Sequence, residues 1–153
     1  GLSMGMKVLA YNKSKKQAQG VDFTRSLDDL LSQSDVVSLH LPLSDESRAM
    51  INQNTLTKMK DNAILINTGR GPLIDENELS QHLKANPAFT AILDVLTQEP
   101  PPLDHPLLGL PNCHITPHIA WASTKARQQL VNGIAQNIAN FMEGEWRNRI
   151  YEF

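Results

Sequence analysis

The sequence has little of what several large protein classes require. Cysteine occurs once, as Cys113. A single thiol cannot close an intrachain disulfide, so a reducing compartment is expected, and the cytoplasm is the default location. Cys113 lies in Asn112-Cys113-His114-Ile115-Thr116, which reads as a short buried strand, where a thiol is expected to be inert. No stretch is apolar enough for long enough to cross a bilayer, and no secretory leader opens the sequence. Charge of neither sign dominates: Lys and Arg number 14 against 16 Asp and Glu, a formal net charge of -2. The densest basic cluster, Lys13 to Lys16, reads as a solvated turn. Nucleic-acid and membrane partners are therefore not expected, nor is a metal site. A glycine-rich Gly-x-Gly-x-x-Gly turn is also missing.

What is present is ordinary for one globular domain. The chain has 153 residues, 41% hydrophobic and 20% charged, enough for a real core. Short apolar runs alternate with helical patterns. Met6 to Tyr11, Asp35 to Leu41, Ala63 to Asn67, Phe89 to Val95 and His114 to Thr116 read as five strands. Ser26 caps a helix running through Leu31, with Asp28 and Asp29 where the helix dipole favours acids. Thr55 opens a helical turn that ends near Lys60. Asp75 caps a helix ending near Ala85, and Glu78 completes a capping-box pattern. From Ser123 to Met142, Leu130, Ile134, Ile138 and Phe141 recur at helical spacing. There is no internal repeat. Near-continuous apolar strands separated by helices indicate an α/β, doubly wound parallel sheet covered on both faces.

In such sheets ligands bind beyond the carboxyl ends of the strands. A dinucleotide-binding half opens with a strand, a glycine-rich turn and a helix whose amino end holds the pyrophosphate. Gly1 to Gly5 supplies none of these. The expectation is a Rossmann-type domain whose first strand, phosphate loop and most of whose first helix lie upstream of this sequence. The alternative is a five-stranded fold of another kind.

The residues after the strands are the ones with chemistry to offer. Asn67-Thr68-Gly69-Arg70-Gly71 closes the third strand. Gly69 would let a ligand approach the backbone, and the Arg70 fork suits a carboxylate. Alone, Arg70 reads equally as the partner of a surface acid. Asp94 ends the fourth strand, where it could face a ligand. Glu99 lies in a loop stiffened by Pro100, Pro101 and Pro102, and alone reads as a solvated acid. Thr116-Pro117-His118-Ile119-Ala120 follows the fifth strand, and a histidine there can exchange a proton near neutral pH. Alone, His118 reads as structural, as do His82, His105 and His114. Together, three successive strand ends offer an arginine, an acid and a histidine. Hydride transfer to a 2-keto acid needs that inventory.

Three segments carry a family resemblance: Leu65 to Glu76, Leu93-Asp94-Val95 with Glu99-Pro100, and Asn112 to Ala120. They resemble the D-2-hydroxyacid dehydrogenases over the sequence from about Met4 onward. Ile119-Ala120-Trp121-Ala122 and Glu99-Pro100-Pro101-Pro102 look most like the glycerate dehydrogenase, or hydroxypyruvate reductase, branch. The resemblance implies catalysis by Arg70, Glu99 and His118. Arg70 would hold the substrate carboxylate and carbonyl. His118 would exchange the proton, with Glu99 as its partner. Asp94 would meet the nicotinamide carboxamide, while Leu41, Pro42, Thr68, Gly69, Arg70, His118 and Ala120 would line the cofactor. Many NAD-using members place an aspartate where this chain has Asn12. An asparagine beside Lys13, Lys15 and Lys16 favours NADP or dual use, or the lysines are merely solvated. Many members also have glycine in place of Ala120.

The resemblance further implies that residues 1–153 are part of a dinucleotide-binding domain. Most of the substrate-binding domain would lie outside the chain, with the 123–142 helix able to pack toward it. A homodimeric parent enzyme is expected, with hydroxypyruvate or glyoxylate as the first substrates to consider. The rival readings are a cofactor-binding, corepressor-like regulatory relative and an inactive fragment.

Overall fold

The computed structural model describes residues 1–12, 18–145, 147 and 148. Among these the chain divides into two compact units, Gly1–Pro117 and His118–Phe153.

The first unit is built on parallel strands. β1 (Val8–Ala10) pairs with β2 (Val21–Phe23), and this pair forms a sheet of its own. The second sheet runs in the order β3 (Val36–Leu39), β4 (Ile64–Asn67), β5 (Thr90–Leu93) and β6 (Cys113–Ile115). The register aligns Val37, Leu65, Ala91 and Cys113 in one row, and Leu39, Asn67, Leu93 and Ile115 in another. Side chains alternate across a strand, so these rows share one face of the sheet. That face carries the core: Val37, Leu39, Leu65, Ala91 and Leu93 are buried with Leu31, Leu56, Leu73, Leu79, Leu83 and Phe89.

Two expectations need correction. The sequence suggested one continuous parallel sheet, and the described strands form two. β2 was not anticipated, since Val21-Asp22-Phe23 is too short to show a period. β1, β3, β4 and β5 are shorter than their apolar runs, because only residues in register with a neighbour complete the ladder, and β6 is shifted by one residue.

Helix starts follow local chemistry. α1 (Leu27–Gln33) begins at Ser26, whose side chain accepts from the Asp29 amide. α2 (Gln53–Leu56) is capped by Asn52 rather than Thr55. Thr55 instead sits at the third helical position and closes a reciprocal capping box with Asn52. α3 (Glu76–Ala85) begins at Asp75, which accepts from the amides of Asn77 and Glu78. The expected box with Glu78 does not form. Its carboxylate accepts from the Gln53 amide at 2.6 Å and so joins α3 to the start of α2.

The second unit is mainly α4 (Thr124–Met142), capped by Ser123. On it Leu130, Ile134, Ile138 and Phe141 are each more than half exposed.

Candidate active site

Because β3 to β6 run parallel, their carboxyl ends share one edge of the sheet. Leu41-Pro42, Thr68-Gly69-Arg70, Asp94 and Thr116-Pro117 follow these strands in turn. Asn12 follows β1 in the separate two-stranded sheet and is exposed, while Lys13, Lys15 and Lys16 lie outside the described residues.

The Arg70 turn is held from below by Asn67, a fully buried side chain at the end of β4. Its amide nitrogen donates to the Arg70 carbonyl at 2.8 Å, and its oxygen accepts from the Gly69 amide at 3.0 Å. An asparagine that bonds the backbone two residues on closes such a turn without a second strand. Thr68 and Arg70 are left exposed, and one Arg70 guanidinium nitrogen donates to the Gly69 carbonyl at 2.7 Å. Asn67 is a positioning residue that the sequence reading passed over, although an asparagine between an apolar strand and Thr-Gly was the available signal.

The two glycines of this turn differ in their surroundings. A Cβ on Gly69 would meet nothing nearer than 3.5 Å. A Cβ on Gly71 would lie 2.1 Å from the Leu96 carbonyl carbon and 2.4 Å from the Thr97 nitrogen. Gly71 therefore admits the backbone of the loop after β5 against the Arg70 turn. That loop carries Glu99, an exposed residue whose Oε1 accepts from the Leu96 amide at 2.8 Å. The Arg70 turn and the Glu99 loop are thus in contact within the first unit.

Asp94 directly follows β5 at the same edge. It is 5% exposed, and its Oδ1 accepts from the Thr116 hydroxyl, so it links the ends of β5 and β6. His118 opens the second unit with φ 53°, a left-handed backbone that costs a non-glycine residue about 1–3 kcal/mol. Its carbonyl accepts from the Trp121 indole at 2.8 Å, which holds this bend. Ala120 is exposed in the same turn.

His40 follows β3 at this edge beside Leu41, its Nε2 2.9 Å from the Ser38 hydroxyl, while Cys113, His82 and His105 lie elsewhere. Burial pushes the half-buried Cys113 thiol up to about 11, consistent with an inert side chain. His82 packs edge-on against Phe89, and burial lowers its pKa while the nearby Asp61 charge opposes the shift. It borders a cavity of about 360 Å³ lined also by Met59, Asp61 and Asn86. These residues precede β4 and β5, at the amino ends of the strands, so the cavity is apart from the candidate site. His105 is buried and bonded, as described below. Among the described residues no group of His, Cys, Asp and Glu could hold a metal ion, and no helix is long and apolar enough to cross a membrane.

Residues 2–120 match the family model described as the NAD binding domain of D-isomer specific 2-hydroxyacid dehydrogenases. The chain belongs to that family. Among its relatives, a hydroxypyruvate reductase of Blautia hydrogenotrophica is 44% identical over 144 residues, covering 93% of this chain and 45% of the relative. An acyclic imino acid reductase solved with NADPH and D-Arg superposes with a TM-score of 0.88 at 36% identity, over 98% of this chain and 48% of that one. A D-lactate dehydrogenase of Lactobacillus jensenii solved with NAD+ gives a TM-score of 0.89 at 28% identity, over 99% and 50%. The chain therefore spans about half the length of the relatives it matches.

The carboxyl edge fits the nicotinamide cofactor of this dehydrogenase family. Gly69 leaves room above the turn, and Thr68 and Arg70 stand exposed beside it as donors. The residues available to hold the cofactor are those of the Leu41-Pro42 and Thr68-Gly69-Arg70 turns.

Proposed function

We propose that the whole enzyme carrying this sequence interconverts a small 2-keto acid and its D-2-hydroxy acid, with hydroxypyruvate or glyoxylate as the first substrates to test. The bound nicotinamide supplies or accepts the hydride. Every other requirement falls to side chains. Arg70 presents two parallel N–H donors to the substrate carboxylate and polarises the keto group. His118 gives a proton to the carbonyl oxygen as the carbon receives hydride, and takes it back in the reverse direction. Glu99 is the proposed partner of His118 in that exchange. Asp94, fixed by Thr116, serves the nicotinamide carboxamide, and Ala120 lines the cofactor with the two turns already named.

The observation that carries this reading is the interlock at the carboxyl edge. Gly71 holds the Glu99 loop against the turn that presents Arg70, in a family of nicotinamide-dependent dehydrogenases. The intact set of Arg70, Glu99 and His118 argues against a regulatory relative. Asn12, in place of a charged acid, supports use of NADPH as well as NADH, and relatives of both kinds exist. The lone cysteine supports a cytoplasmic location, and the family resemblance supports a homodimer.

The test is reduction of hydroxypyruvate and glyoxylate by the full-length enzyme with NADH and with NADPH. His118→Ala is expected to lower kcat by about 10²- to 10⁴-fold, the range for a lost general acid. Near-parental turnover by that variant would remove His118 as the proton donor. Absence of turnover by the parent on both acids would favour the regulatory reading.

A further inference from the structure

Glu76, the first residue of α3, has a carboxylate spent on neither solvent nor its own helix. Oε1 accepts from the Thr97 amide at 2.7 Å, and Oε2 meets His105 Nε2 at 3.2 Å. Both side chains are buried, Glu76 to 13% and His105 to 6% exposure. One carboxylate thus clips residues 97 and 105, the two ends of the segment that carries Glu99. Nearby, the Ser80 hydroxyl donates to the Pro106 carbonyl at 2.8 Å, and Gly71 receives the backbone of Leu96 and Thr97.

The hydrogen bonds also settle the state of His105. Its Nδ1 faces the Leu107 amide at 3.4 Å and must accept there. Its Nε2 therefore carries the proton and donates to Glu76. With both ring nitrogens engaged by protein partners, His105 is placed to hold the loop. Burying a carboxylate costs desolvation that two hydrogen bonds must offset. An exposed acid at the same place would satisfy the α3 dipole without that cost. The arrangement is explained by what it holds.

We propose that Glu76, through Thr97 and His105, is a positioning residue for Glu99, setting the height of the acid over the Arg70 turn. The proposal rests on the role given to Glu99 above. It predicts that loosening the clip costs turnover only while Glu99 is present.

The experiment is a double-mutant cycle of Glu76→Ala and Glu99→Ala in the full-length enzyme, with His105→Gln as a second route to the same clip if Glu76→Ala does not fold. Glu76→Ala is expected to lower kcat about 10- to 100-fold, the scale of a catalytic group displaced by about 1 Å. KM for NADH should stay near the parental value, and hydrogen exchange at the Thr97 amide should quicken. In the Glu99→Ala background the same change should cost less than about 2-fold, because the group it positions is gone. Equal losses in both backgrounds would reduce Glu76 to a stability role and overturn the proposal alone. A quickened Thr97 amide with unchanged kcat would do the same. Parental kcat in Glu99→Ala would overturn the reading of Glu99, and the positioning role with it.

Discussion

The two parallel sheets of the first unit have the same kind of ladder and different foundations. β3 to β6 lay one face over a core in which Leu65, Leu73, Leu79 and Phe89 are fully buried. β1 and β2 pair in register through Val8, Leu9 and Ala10, yet none of their residues is buried. Ladder hydrogen bonds replace bonds to water and contribute little net stability, whereas burial removes apolar surface from water. The sheet that presents the candidate site is therefore the firmly founded one. The sheet that presents Asn12 is held chiefly by its own pairing.

The largest effect that could break this contrast lies at the glycines. Gly71→Ala would drive a Cβ into the Leu96–Thr97 backbone, and a loss of more than about 4 kcal/mol is expected, with soluble expression failing. Gly5→Ala, beside β1, meets nothing within 4 Å and has only its left-handed φ of 73° to overcome, about 1–2 kcal/mol. Urea titrations would read both, and comparable losses would dissolve the distinction between the regions. Next come the strands themselves. Leu65→Ala in β4 should cost about 2–5 kcal/mol, and Leu9→Ala in β1 below about 1 kcal/mol. A larger loss at Leu9 would show that the small sheet rests on buried contacts after all.

The smallest effect concerns pH. The folded chain holds the His82 pKa below the ordinary 6.5. As pH falls below that value, the unfolded state takes up the proton first, so stability declines until the folded ring also protonates. The urea midpoint should therefore fall between pH 7 and pH 5 more in the parent than in His82→Gln. Identical pH slopes would mean that burial of His82 carries no linkage.

How much of this was readable in advance depended on range. Ser26, Asp75 and Ser123 cap helices by bonding amides two or three residues away, and their positions could be read directly. The carboxyl-end placement of Arg70, Asp94 and Thr116 followed from strand order alone. Thr55 and Glu78 misled because more than one partner was in reach. Asn52 offered an earlier cap, and Glu78 found the Gln53 amide across the helix pair. Glu76 and His105 carried no local sign of their role, since their partners lie 21 and 29 residues apart in the chain.

The sequence by itself determined the family, the parallel α/β class and the row of polar residues after the strands. Each follows from local patterns: apolar runs, caps and a handful of contiguous motifs. Only the tertiary structure decided that Gly71 packs against the Leu96–Thr97 backbone, that Asp94 bonds Thr116, that the described strands form two sheets, and that one carboxylate of α3 clips the Glu99 loop. Those outcomes depend on which distant backbone atoms arrive at the same place, and chain order does not encode that arrival until the core has packed.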